Sequence, residues 1–406
     1  MKESQGKLLI LGANLETIPL VQVANEVGVY TIVTDYDPNA PAKRFAKKSF
    51  NIDGMDIEKI VNLARAENIN GVLVGVADLL VPTYQKACQI LKLPCYANTR
   101  SITVLSNKRN FKMACEKNNI HGVLEFSESN IEYPVLVKPV DSCSGQGITV
   151  CRQKESLPQS IIKAKSASRS GQFIIEKYMK CDNVALYYTF MDGKCHLSVM
   201  GDMKTLEIER GSPVNLGNIY PSKHTNLYLE KFHDKFKRFF SNLGIENGVM
   251  LIQAFVENNE FYVYDPGFRL QGEAPHILLN AINGFDHRKM LVKFALTGRM
   301  EDANFPGGND CYLKGKMAAT IWILLSEGKI ERIEGMSNED PRVVHVAQRL
   351  HEGDIVEEKM IGTEKQVFAR LFVVCDSREE LEDLRSHLKE KIKVFDKFGS
   401  SLIYPT

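Results

Sequence analysis

A lysine at the end of an apolar run, followed by a loop of small residues, is the first place where this chain could do chemistry. Residues 135–137 are apolar and run into Lys138 and Pro139; Ser142, Cys143, Ser144, Gly145, Gln146 and Gly147 follow before residues 148–150 resume the apolar pattern. The pattern predicts strand, loop, strand. It would set one ammonium at a buried strand end, opposite a loop whose glycines admit close backbone approach and whose successive N–H groups can form an anion-binding concavity. A polyphosphate suits that chemistry, and an ordinary hairpin with a flexible tip suits the pattern equally.

A second constellation is Asp265-Pro266-Gly267-Phe268-Arg269, at the end of two apolar runs (249–255 and 261–264) joined by Glu257-Asn258-Asn259. The simple hairpin register sets Gln253 on the face that carries Asp265. Carboxylate oxygens suit a hard cation such as Mg²⁺, and a guanidinium matches phosphate geometry, so acid and arginine here could hold both side by side. The same residues would also make a surface ion pair flanking a turn. Lys108 falls in the first turn of a helix opening at Ser106, where the dipole is already positive; it is either solvated or reaches toward an anion.

The elements that must position these groups are read from periodicity. Residues 7–11, 29–34 and 71–76 read as buried strands alternating with helices over 17–27, 56–67 and from Pro82 onward, so residues 1–104 form a doubly wound α/β unit. A dinucleotide fingerprint fails there, because Asn14 and Thr17 stand where G-x-G-x-x-G needs glycines. Asp35 and Asp78 follow strand ends, a place for ligands but more often for helix caps and turns. Further on, 155–168 reads as helix, 173–176 as a strand leading into Lys177-Tyr178-Met179, and 184–190 with 195–200 as a hairpin turned by Asp192-Gly193. A single helix over 226–243 carries Leu229, Phe232, Phe236 and Phe239 as a core stripe. The Gly/Pro cluster at 305–310 marks a boundary, beyond which 366–375 is a strand and Ser377 with Glu380 forms a capping box for the last helix. His345 and His351 read as structural or solvated.

Composition limits the partners. A formal net charge of +1 over 406 residues forces no polybasic face, which argues against nucleic acid or an anionic membrane. The nine cysteines include no C-x-x-C pair and no zinc-type cluster, and Cys143 lies in the glycine loop, so they read as reduced thiols. The apolar run near the start is too short for a signal peptide or a span, and a cytoplasmic protein is expected.

In this order the motifs resemble the ATP-grasp superfamily of carboxylate–amine ligases, in particular carbamoyl phosphate synthase large-subunit halves, biotin carboxylase and the purine-pathway enzymes. The resemblance implies an α/β fold: an N-terminal doubly wound parallel-sheet domain (1–104), an ATP-grasp domain (105–309, its lid about 120–190) and a C-terminal α+β subdomain (310–406). It implies that Lys108 and Lys138 neutralise ATP phosphates and that Ser142, Ser144, Gly145, Gln146 and Gly147 close over them. Glu176 would open the adenine hinge, with backbone groups of Lys177 and Met179 reading the base; Asn183, beside Asp182, would take the ribose position. Asp265 and Gln253 would hold Mg²⁺, or Mn²⁺ in its place, and Arg269 with Lys138 would act on the transferring phosphoryl group.

The metal shell departs from the family pattern. Gln253 stands where a Glu is usual, and Gly267 stands for the Asn of Glu-x-Asn-x-Arg, leaving Asp265 as the charged ligand with Glu273 as a candidate to compensate. The implied activity is phosphorylation of a carboxylate to an acyl phosphate that an amine or other nucleophile attacks, on small-molecule substrates, with a homodimer as the expected assembly. The Arg-Phe-Gly-Asp-Pro-Glu run of phosphoribosylamine–glycine ligases is absent, so the carboxylate stays open between an amino acid and a purine-pathway type of molecule. The alternative is a non-catalytic ATP-binding module with a degraded metal site.

Overall fold

The computed structural model describes residues 6–142, 145–207, 213–336 and 339–405. Leu8, Leu9, Ile10 and Leu11 are wholly buried and form the inner strand Lys7–Leu11 of a 4-stranded parallel sheet, between Tyr30–Thr34 and Gly71–Val74, with Lys48–Phe50 at the edge. Continuous apolar runs of this kind are what a parallel strand covered on both faces requires. Helices Ile18–Glu26, Ile57–Ala66 and Val81–Leu91 alternate with the strands; the second is capped by the Asp56 carboxylate, which accepts from the backbone N–H of Lys59 at 3.1 Å. Asp35 proves to be a turn residue, its carboxylate accepting from the N–H of Ala13 at 2.9 Å.

A 3-stranded antiparallel sheet follows, ordered Thr149–Cys151, Val135–Pro139, Phe173–Lys177, with helix Leu157–Ala167 packed on it. Val135, Val137, Ile175, Leu157 and Ile161 make its small core. Strand alternation then sends Lys138 and Glu176 to the opposite face.

Nine further strands form one sheet, ordered Val343–Gln348, Val367–Cys375, Met317–Leu324, Val214–Tyr220, Lys194–Leu206, Asp182–Met191, Gly248–Glu257, Glu260–Gly267 and His121–Gly122, and two short pairs, Gly328–Lys329 with Ile355–Val356 and Arg332–Glu334 with Lys393–Phe395, stand apart from it. Within that sheet all neighbours are antiparallel except Glu260–Gly267 with His121–Gly122. Strands on both sides of residue 309 therefore share one sheet. One face carries Leu186, Tyr188, Phe190, Met250 and Ile252, packed on aromatic helices through contacts such as Tyr188–Phe240, with ring centroids 4.9 Å apart. The register places Tyr187, Gln253, Asp265, Asn218, Trp322 and Arg370 on the other face.

Two local readings are corrected. The helix expected over 226–243 is two helices, Thr225–Lys231 and His233–Asn242, broken at Phe232, whose ring is buried against Phe261. Ser377 caps Arg378–Lys391 by accepting from the N–H of Glu380, yet Glu380 returns its carboxylate to the N–H of Asp376 and so closes no box with Ser377. No helix among the described residues is long and apolar enough to cross a membrane.

Candidate active site

Lys108 is the first residue of helix Lys108–Glu116, whose cap is the Asn107 side chain, accepting from the N–H groups of Arg109 and Asn110. A cation at a helix N-terminus needs compensation, and Lys108 finds it: its Nζ lies 2.8 Å from Asp265 Oδ1 and donates to the Ser142 carbonyl at 2.8 Å. Its backbone N–H donates to Val140 O at 2.9 Å, docking the helix on the end of the lid strand. Helix start, Ser142 and the Asp265 strand end thus meet around one cavity, lined also by Asp78, Asp141 and Arg169.

Lys138 is 2 % exposed and pairs with Glu176 at 2.6 Å, while Lys112 approaches the other oxygen of that carboxylate at 2.9 Å. Burial lowers the Lys138 ammonium below the usual lysine range, and Glu176 opposes it; the nearby charges of Lys108 and Asp265 also act on it. For Glu176 burial works against the carboxylate, yet Lys138 and Lys112 hold it below the usual range. The ammonium also sits 3.4 Å from the Tyr264 carbonyl, one residue before Asp265. Glu176 is therefore locked between two lysines by its side chain.

The expectation for the adjoining hinge changes at Lys177: its backbone N–H donates to Leu124 O at 2.9 Å and is spent on the fold, while its ammonium lies 3.3 Å from Glu257. The next N–H, of Tyr178, goes to Pro134 O, and the Met179 side chain is buried. In the loop, Gly145 and Gly147 adopt positive φ of 72° and 76°, and Ser142 Oγ donates to Gln146 O at 3.3 Å. Cys143 and Ser144 lie outside the described residues.

Gln253 and Asp265 are direct cross-strand partners, and the bulge immediately after Gln253 turns Tyr264 to the same side, where its hydroxyl donates to Asn183 Oδ1 at 3.1 Å. Asn183 is thereby held, whereas Asp182 is drawn into ion pairs with Lys223 and His224. The Gln253 amide points at the Met203 sulfur, 3.7 Å away. Arg269 Nη2 reaches Asp78 Oδ2 at 2.5 Å and its Nη1 donates to Leu270 O. From sequence, Asp78 is a ligand position or, more often, a cap or turn residue, and its one signal is its place after a strand end.

Glu273 is separate from this pair. Burial raises its carboxyl above the usual range, and the charges acting on it are Arg269, Glu364 and Arg370, which set it among arginines. Among the described residues no group of three or more His, Cys, Asp or Glu side chains is arranged to hold a metal. What the site offers is hard oxygen: Asp265, with a side chain 35 % exposed and facing the same cavity as Ser142. That donor set fits one Mg²⁺ whose coordination is completed by phosphate oxygens and water.

Comparison with known proteins follows the same outline. The family model described as "Carbamoyl-phosphate synthase L chain, ATP binding domain" matches residues 104–302. A formate-dependent phosphoribosylglycinamide formyltransferase of Wolinella succinogenes is 24 % identical over 274 residues, covering 63 % of this chain and 68 % of that protein. Among solved structures, the phosphoribosylglycinamide synthetase of Anaerococcus prevotii superposes with a TM-score of 0.77 at 17 % identity, over 97 % of this chain and 100 % of that one. The L-amino acid ligase of Bacillus licheniformis gives 0.79 at 18 % identity, over 97 % and 99 %. At such identities the structures speak to the fold, and the fold is theirs along nearly the whole chain. The sequence match sets residues 104–302 in the ATP-grasp superfamily of carboxylate–amine ligases, and the solved structures extend that fold over nearly the whole chain.

Proposed function

We propose that this protein is an ATP-dependent ligase that phosphorylates a small-molecule carboxylate and passes the acyl group to an amine or related nucleophile. The observation that carries the reading is the meeting of Lys108, Asp265 and Ser142 around one cavity, with the Lys138 ammonium nearby, 3.4 Å from the Tyr264 carbonyl, and Arg269 four residues along the same chain segment. Lys108 and Lys138 would neutralise the phosphates of ATP. The hinge would read the base through Met179 and the carbonyl side of Lys177, and Asn183 would meet the ribose.

Oxide is a hopeless leaving group from a carboxylate, so transfer of the terminal phosphoryl group to a carboxylate oxygen creates the leaving group that the nucleophile then displaces. Catalysis of this kind is mostly positioning and charge neutralisation. Asp265, with phosphate oxygens, would hold Mg²⁺, or Mn²⁺ in its place, and the bound ion supplies charge neutralisation between the phosphates. Arg269, released from Asp78, would meet the transferring group or the substrate carboxylate. Gly145 and Gly147 let the loop follow the phosphates closely and keep water from the acyl phosphate. An amino acid is the carboxylate we favour, because an L-amino acid ligase shares this fold along nearly the whole chain and the phosphoribosylamine–glycine ligase run is missing. A cytoplasmic enzyme, single or as a homodimer, is consistent with this chemistry.

Gln253 and Gly267 motivate a second reading, a module that binds ATP without turnover. Phosphate release measured across a panel of amino acids and other carboxylates, with MgATP present, separates the two. Stimulation by at least one of them is expected; MgATP binding with no stimulated release by any would favour the module.

A further inference from the structure

Helix Lys108–Glu116 carries a second lysine one turn beyond Lys108, on the same side of the helix, and the mechanism above leaves it unused. Lys112 is 4 % exposed. Its Nζ donates to Glu176 Oε1 at 2.9 Å, while Lys138 holds Oε2 of the same carboxylate at 2.6 Å. The stem of Lys112 lies across Gly122 of the edge strand His121–Gly122, where an added Cβ would come within 2.9 Å of its Cε. The glycine thus leaves the space through which the ammonium reaches Glu176.

Charge at this point does not balance. Lys108 is matched by Asp265 at 2.8 Å, and Arg109 by Glu125 at 3.2 Å. Lys112 stands 3.6 Å from Glu125, beyond hydrogen-bond reach, so the acid it bonds is Glu176. Two buried ammoniums therefore share one buried carboxylate, and one positive charge is left over where water does not reach to compensate it. A staple between helix and lid would need one lysine and one glutamate; Lys138 already supplies the cation, and a second one adds a further desolvation cost.

The surplus suits an incoming anion. The Lys138 ammonium lies 3.4 Å from the carbonyl of Tyr264, the residue before Asp265, on the side from which phosphates would approach. With Glu176 as its sole partner, Lys138 would meet a phosphate as half of a neutral ion pair, and turning toward that phosphate would strand a buried carboxylate. With Lys112 on the other oxygen, the carboxylate stays compensated while Lys138 turns. We propose that Lys112 is a positioning residue for nucleotide binding, which neutralises Glu176 and so makes the whole charge of Lys138 available to the phosphates. This rests on the ligase reading above, in which Lys138 meets ATP, and assigns part of the strength of that contact to a side chain that touches no phosphate.

Calorimetric titrations of MgATP, MgADP and adenosine into the wild type, Lys112→Met, Lys112→Arg and the double variant Lys112→Met/Glu176→Gln test it. Lys112→Met should weaken MgATP and MgADP at least about tenfold, the effect of one uncompensated negative charge beside a shielded phosphate contact, and leave adenosine, which carries no phosphate, unchanged. Lys112→Arg keeps the charge and should bind MgATP within about threefold of the wild type. In the double variant the carboxylate that Lys112 balances is gone, so MgATP should bind more tightly than to Lys112→Met, a rescue that a merely structural role for Lys112 does not give. Unchanged MgATP affinity in Lys112→Met, an equal loss for adenosine, or a double variant no tighter than Lys112→Met overturns the proposal, while binding of MgATP by the wild type leaves the ligase reading standing. Should the double variant fail to fold, as a thermal melt would show, the contrasts of Lys112→Met with Lys112→Arg and of MgATP with adenosine decide. A wild type that takes up no adenine nucleotide sinks the ligase reading itself, and this inference with it.

Discussion

At the residue scale the site is a set of opposed charges whose sequence signals differ in strength. Lys138 was legible because a lysine closing a buried strand before glycines is a local pattern. Lys108 was legible as a conflict, a cation at a helix start, which the structure resolves with Asp265. Asp78 was not legible: its partner Arg269 is 191 positions away, and an acid after a strand end looks like a turn residue. Glu176 carries the sharpest prediction here. Its carboxylate is 1 % exposed and pairs with two lysines, so Glu176→Gln leaves those cations uncompensated and should cost about 3–5 kcal/mol, read as a fall in denaturation midpoint. An unchanged midpoint would mean that solvent reaches Lys138.

His287 gives a pH prediction. Burial moves it from 6.5 to about 4, and its Nε2 meets Thr189 Oγ1 at 2.6 Å. A folded pKa below the unfolded one means full stability above pH 6.5 and progressive loss as pH falls toward 4; the shift is worth about 3 kcal/mol. His287→Gln should flatten the stability profile across that window, and an identical slope in both proteins would contradict the assignment.

Elements were read well wherever a period was clean. The lead strands, the lid strands and the 249–264 hairpin needed only apolar runs and turn residues. The strand Val214–Tyr220 was missed because its sequence, V-N-L-G-N-I-Y, alternates poorly and carries a glycine. That glycine is what the pairing demands: Gly217 has φ 119°, and a Cβ there would collide with the Thr320 carbonyl of the neighbouring strand. Gly217→Ala should therefore destabilise by at least about 1–3 kcal/mol and loosen the join between the two halves of the large sheet, measurable by denaturation and by amide exchange at residues 317–324. Wild-type exchange in the variant would show that the strands part without cost. The break at Phe232 was hidden because the aromatic stripe continues through it at helical spacing.

For the whole molecule, no local pattern showed that Asp78 from the first sheet, Ser142 and Lys138 from the lid and Asp265 with Arg269 from the large sheet would be assembled across three sheets. Nor did it show that strands on either side of residue 309 form one surface. Order along the chain carried that information, through the resemblance rather than through any single element. In the assembled form the acids and bases around the cavity pair with one another. Nucleotide must exchange the Lys108–Asp265 pair for phosphate contacts, so binding should weaken with rising salt less than a surface ion pair would, because the groups are largely shielded. Saturating ligand should also stabilise the fold by mass action, about 2.7 kcal/mol at a hundredfold excess over Kd.

Calorimetric titration of MgATP into the wild type, Lys108→Ala and Lys138→Ala tests the central claim most directly. One binding event per chain is predicted, weakened at least about tenfold in each variant while both remain folded. A wild type that takes up no adenine nucleotide, or variants that bind it as tightly as the wild type, would contradict the account.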